Sequence, residues 1–107
     1  MDDFDKGIAA ARRGEVDVDV SNAELTDARA AVLAEAIGQS GKVERLRAWG
    51  CKLSDAGATA LAGGIQECPN LAELFLSNNQ ISDAGATALT AGIQKCPSLA
   101  NLDLSIN

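Results

Sequence analysis

Apolar residues in this chain fall into a unit that recurs every 28 positions. The fullest copy is Leu71-x-x-Leu74-x-Leu76-x-x-Asn79-x-Ile81. Upstream the same slots hold Val43, Leu46, Ala48, Cys51 and Leu53; downstream they hold Leu99, Leu102, Leu104 and Asn107. In the first half of each unit apolar and polar residues alternate, the period of a strand with one buried face. In the second half Leu33 and Ile37, Leu61 and Ile65, and Leu89 and Ile93 are spaced by one helical turn. The pattern predicts strands near 16–20, 44–48, 72–76 and 100–104, and helices near 27–38, 55–66 and 83–94. Strands and helices that alternate in this way predict a single parallel sheet.

The ends of the predicted elements are marked by local chemistry. Thr26, Ser54 and Ser82 each precede a helical pattern, and a hydroxyl there can accept from a free N–H of the first turn. Cys68-Pro69 and Cys96-Pro97 close two of the helices, because the residue before proline is disfavoured in helical geometry. Gly57 and Gly85 lie inside helices at a cost of about 1 kcal/mol each relative to alanine. Close approach of helix to sheet is the expected compensation, and Gly63-Gly64 makes the second repeat helix the weakest. Residues 54–79 laid on 82–107 agree at 19 of 26 positions, so the two copies solve one packing problem.

The first unit is degenerate. Val16-Asp17-Val18-Asp19-Val20 aligns Val18 with Leu46, and Leu25 with Leu53, while Ala23 stands where Cys51, Asn79 and Asn107 stand later. A terminal repeat has one neighbour and tolerates such drift. Before it, residues 3–13 predict a helix capped by Asp2 or Asp3, with Phe4 and Ile8 on one face and Gly14 as its left-handed close. Turned inward, Phe4 and Ile8 would cover the apolar end of the stack. The chain thus divides into an N-terminal capping helix, 1–14, and repeats, 15–107, of which there are about three and a half.

These repeats resemble leucine-rich repeats. The 28-residue period, the S-D-A-G-A-T-A-L helix start and the asparagine-or-cysteine alternation are similar to the ribonuclease-inhibitor-like subfamily. That resemblance implies an α/β fold: a right-handed βα solenoid with a concave parallel sheet and convex helices. It also implies that Cys51, Asn79 and Asn107 form a ladder bonded to backbone groups of the turn beyond each strand. Members of the subfamily mostly bind proteins; some activate a GTPase and others are sensing regions of NOD-like receptors. They usually carry more repeats, and Leu99, Leu102, Leu104 and Ile106 would be left partly uncovered here. The expectation is therefore an N-terminal piece of a longer protein, able to self-associate through an uncapped last repeat.

Composition narrows the chemistry. Aromatics are 3% of the chain, so aliphatic side chains must fill the core. A net charge of −6 argues against a phosphate-tracking surface, and hence against nucleic acid. No apolar run is long enough to span a bilayer, and the acidic start does not read as a signal peptide. Three cysteines make no compact disulfide framework and are expected as free thiols in the cytoplasm. The chain has no histidine and no tyrosine, and no nucleophile–base pair is recognisable, so no catalytic residue is assigned. Asp17-x-Asp19-x-Ser21 has Asn22 in the glycine slot and Ala28 in the glutamate slot of a calcium loop, and fails as one. Gly41-Lys42 lacks the remainder of a phosphate loop. No metal and no cofactor are expected.

What remains is the face of the sheet. Residues between the inward positions of a strand point outward together, and residues 28 apart become neighbours about 4.8 Å apart. One column reads Asp17, Arg45, Glu73, Asn101, which predicts a ladder of surface ion pairs. The next reads Asp19, Arg47, Phe75, Asp103, and the third Ser21, Trp49, Ser77, Ser105. Trp49 stands where the other repeats have serine. With Phe75, Arg45 and Arg47 it makes a patch of residue types enriched at interface hot spots. Two internal readings compete: Trp49 folded over Ala48, and an Arg47–Phe75 cation–π pair. The candidate protein-binding residues are Arg45, Arg47, Trp49, Glu73, Phe75, Ser77, Asn101 and Asp103, for a partner with a mixed or acidic apolar epitope. The alternatives are a GTPase-activator-like or NOD-like-receptor-like region, and a purely structural terminal segment.

Overall fold

The backbone follows the 28-residue period closely. The structure, a computed structural model, describes residues 2–107. Its elements run α1 (Asp3–Arg12), β1 (Asp17–Asp19), α2 (Asp27–Ser40), β2 (Arg45–Arg47), α3 (Asp55–Ile65), β3 (Glu73–Phe75), α4 (Asp83–Ile93) and β4 (Asn101–Asp103). The four strands form one parallel sheet in the order β1-β2-β3-β4. Register pairs residues one period apart: Val18 with Leu46, Leu46 with Leu74, Leu74 with Leu102.

Each strand is three residues rather than the expected five, because the chain soon turns toward its helix. Backbone bonding continues past the strand, with the N–H of Val20 donating to Arg47 C=O and that of Asn22 to Trp49 C=O, both at 2.9 Å. The turn then needs a left-handed residue, at Asn22, Gly50, Asn78 and Ile106, each one period from the next. Asparagine and glycine suit that geometry. Ile106, at φ 54°, is β-branched and strained there. Helix α2 outlasts its expected end at 38 because no proline follows it. It runs to Ser40 and closes on Gly41, whose φ of 63° lets its N–H reach Ile37 C=O at 2.9 Å.

The core is continuous from end to end. Val18, Leu46, Leu74 and Leu25, Leu53, Leu33, Leu61, Ile37, Ile65 are all essentially inaccessible. Phe4 and Ile8 of α1 are buried at the β1 edge of this cluster, and Asp2 caps α1 by accepting from Asp5 N–H at 2.8 Å. At the other edge Leu102 is 43% exposed and Ile106 77%.

Glycine sets the spacing of the helices, and it does so against other helices rather than against the sheet. A Cβ on Gly64 would lie 2.3 Å from Ala34 C=O and 2.7 Å from its Cα; one on Gly92 would lie 2.8 Å from Ala62 C=O. At Gly57 the near atoms are Leu53 Cδ1, at 2.7 Å, and Ala30 Cβ, at 3.4 Å. The expected approach of helix to sheet is thus replaced by contacts with the neighbouring helix and the preceding loop leucine. Gly63 faces open space, which explains why Ala91 occupies its slot one repeat on.

The helix starts are held across repeats. Thr26 and Ser54 accept from Arg29 N–H and Gly57 N–H, as expected of hydroxyl caps. Ser82 makes no such bond. Its hydroxyl donates to Asp55 of the preceding repeat, and Asp55 Oδ1 accepts from Ser82 N–H at 2.7 Å and Gly85 N–H at 3.0 Å. A carboxylate from one repeat therefore caps the helix of the next, and Ser54 donates in the same sense to Asp27 at 2.8 Å. The cysteines add a parallel stitch on the far side. The thiols of Cys68 and Cys96 donate to Ile37 and Ile65 C=O, at 3.5 and 3.4 Å. All three cysteines are free and buried.

Two outcomes follow. Gly63→Ala should raise stability by roughly 0.4–1 kcal/mol through the unfolded chain, whereas Gly64→Ala should lower it sharply; urea unfolding of the two variants checks the opposite signs. Hydrogen bonds from the Ser82 hydroxyl, Ser82 N–H and Gly85 N–H hold the Asp55 carboxyl below its ordinary range. A lowered folded pKa stabilises fully above the unfolded value and is lost as pH falls through the folded one. Asp55→Asn should therefore lower the melting temperature at neutral pH and flatten its dependence below about pH 4, as read by thermal melts across pH.

Candidate functional site

Two sets of residues were marked by the sequence, a ladder inside the turns and a patch on the sheet face. The ladder lies where the strands give way to left-handed turns and leave buried backbone groups in need of partners. Asn79 supplies them. Its Oδ1 accepts from Cys51 N–H at 2.9 Å and Leu53 N–H at 3.0 Å; its Nδ2 donates to Ala48 C=O at 2.9 Å and Leu76 C=O at 3.0 Å. Asn107 repeats the arrangement toward Ile81 N–H, Leu76 C=O and Leu104 C=O. Cys51 keeps only the donor half: its thiol reaches Val20 C=O at 3.3 Å and has no amide oxygen to offer. The adjoining Lys52 is left-handed too, at φ 55°.

No catalytic chemistry attaches to these thiols. Burial pushes Cys51 and Cys68 up to about 11 and also raises Cys96, so each is protonated at neutral pH and poor as a nucleophile. Among the described residues no group of His, Cys, Asp or Glu is placed to hold a metal ion. Among the described residues no helix is long and apolar enough to cross a membrane.

The patch is built by the register. Asp17, Arg45 and Glu73 lie side by side, and so do Asp19, Arg47, Phe75 and Asp103. The first column is the expected ion-pair ladder: Arg45 Nε reaches Glu73 at 2.7 Å and its Nη1 reaches Asp17 at 3.1 Å. These bonds, that to Glu73 foremost, push the Arg45 pKa further up. Asn101, the last member, is exposed at the β4 edge. In the second column Arg47 leans diagonally onto Asp17 at 3.2 Å and sits 6.0 Å over the Phe75 ring, so the internal cation–π geometry is present.

Trp49 is 41% exposed, and its backbone N–H donates to Ser21 Oγ at 3.3 Å. It stands between two depressions. One, of about 350 Å³, is lined by Arg47, Trp49, Phe75, Ser77 and Asp103. The other, of about 260 Å³, is lined by Asp3, Lys6, Asp19, Ser21, Asn22 and Trp49. The sequence names all five residues of the first but misses the second, since the placing of α1 beside the Asp19–Asn22 turn has no periodic signal. It misses the Asp27 and Asp55 clasps for a similar reason: an acidic residue in the first turn reads as a local helix feature.

Residues 67–89 match the family model described as "Leucine Rich repeat". No curated protein matches the chain. Among solved structures, leiomodin-1 actin-binding site 2 superposes with a TM-score of 0.83 at 19% identity, over 97% of this chain and 62% of that one. The Caenorhabditis elegans tropomodulin C-terminal domain does so at 0.77 and 21% identity, over 94% of this chain and 62% of that one. At such identity the likeness is one of fold, and this chain spans less than two thirds of either. Its repeats, its single parallel sheet and these likenesses show the α/β solenoid fold of leucine-rich repeats.

Asn79→Ala would leave Cys51 N–H and Leu53 N–H without their acceptor in a buried turn. At about 1–3 kcal/mol for each group so orphaned, the loss should exceed ~2 kcal/mol, and chemical denaturation measures it.

Proposed function

We propose that the chain is a non-catalytic binding module of the cytoplasm, and that the sheet face, the concave side of the solenoid, takes a protein partner. The observation that carries this is Trp49. A large aromatic side chain, two-fifths exposed, lies just past β2 between two shallow depressions, beside strands whose backbone is already fixed by pairing. Little ordering entropy opposes binding on such a surface, and tryptophan and arginine are the types whose truncation costs most at interfaces. The 28-residue period and the cysteine in the asparagine slot favour the ribonuclease-inhibitor-like subfamily. Buried thiols free of bridges suit a reducing compartment. One of the similar solved structures is described as an actin-binding site, which makes actin the first partner to try.

Titration calorimetry with purified actin, and matched immobilised baits of the chain and its Trp49→Ala variant, test the reading. Trp49→Ala should weaken partner binding at least tenfold and leave the thermal melt unchanged. A variant that melts much earlier yet still binds would make Trp49 a packing residue and remove the anchor of the face.

A further inference from the structure

The cations of the sheet face are already engaged by the chain's own carboxylates. Arg45 lies between Glu73 and Asp17, and Arg47 is drawn toward the same Asp17. Asp19 and Asp103 are different. Among the described residues, no lysine or arginine nitrogen lies within 4.0 Å of either. Each has one oxygen fixed by the backbone N–H two residues on, Ser21 and Ser105, both at 2.9 Å. The Ser105 hydroxyl adds a bond at 2.6 Å and, as the larger cause, holds the Asp103 carboxyl below its usual range. Lys6 shares the depression beside Asp19, but Asp3 shares it too and offsets its charge.

The second column, flanked by Trp49 of the third, therefore presents a free carboxylate on β1, an Arg47 already drawn to Asp17, an apolar centre of Phe75 and Trp49, and a free carboxylate on β4. Resting on the reading of this face as a binding surface, we propose that its partner is a cationic, extended segment: basic residue, spacer, apolar residue, spacer, basic residue. This departs from the mixed or acidic apolar epitope expected from the sequence. The dimensions fit. Asp19 and Asp103 are three strand spacings apart, roughly 14 Å. An extended chain rises about 3.3 Å per residue, so positions i and i+4 lie ~13 Å apart. Positions i, i+2 and i+4 of such a chain point the same way. Crossing the strands, its two ammonium or guanidinium groups meet Asp19 and Asp103 while the middle side chain rests on Phe75 and Trp49.

The test is an NMR titration of the isotope-labelled chain, whose one tryptophan gives a single indole N–H signal. The probes are three capped peptides: Lys-Gly-Leu-Gly-Lys, Lys-Gly-Gly-Gly-Lys and Glu-Gly-Leu-Gly-Glu. The first should shift the Trp49 indole saturably and more tightly than the second. The pair of substitutions Asp19→Asn and Asp103→Asn keeps a side-chain oxygen for the Ser21 and Ser105 N–H groups and should weaken binding about tenfold in a chain that thermal melts show still folded. Tighter binding of the glutamate peptide, lost in Arg47→Gln, would overturn the cationic partner and leave the binding face standing. Lysine-peptide shifts confined to the helices would overturn the site. Silence of the indole toward all three peptides would count against both this inference and the face as a peptide-binding surface.

Discussion

The structure depends on hydrogen bonds that no repeat can make alone. A three-residue strand followed by a left-handed turn leaves buried N–H and C=O groups with no partner in their own unit, and such groups cannot stay unpaired. Asn79 fills these needs for the repeat before it, and its amide is the one polar side chain buried among the described residues. Asp55 does the same for the helix start of the repeat after it, and the thiols of Cys68 and Cys96 bond to the helix ends of the repeats before them. Side-chain packing fills the space between repeats, but these bonds fix their register.

That division of labour explains what could be read from the sequence. Leu46, Leu74 and Leu61 announce strand and helix faces by period alone, and burial bears them out. Proline at 69 and 97 fixed two helix ends correctly, and its absence after α2 left the third end two residues short. The hydroxyl at Ser82 misled because a cap is recognised by local spacing, while the acceptor that displaced it lies 27 residues away. Gly64 and Gly92 were legible as unusual but not as contacts, since the backbone they touch belongs to the neighbouring helix.

The face shows the same boundary. Register placed Arg45, Arg47, Phe75 and Asp103 as the sequence arithmetic had them. Charge was harder to read, because two arginines look basic until their partners are known. Asp17 is shared by both. Once it is, the unengaged charge on the face is anionic, a property of bonding geometry and not of residue counts.

Every clasp described here joins a repeat only to its immediate neighbour, and each spans close to one period: 26 to 31 residues for the ladder, 27 to 30 for the carboxylates and 31 for the thiols. The segment 54–81 duplicated in frame would meet the same donors and acceptors at both of its junctions, since it carries both Asp55 and Asn79. The near identity of 54–79 and 82–107 shows that such copies are tolerated side by side. This chain can therefore grow or shrink by whole units, altering the length of its surface and the spacing of its outermost groups without redesign of any interior contact.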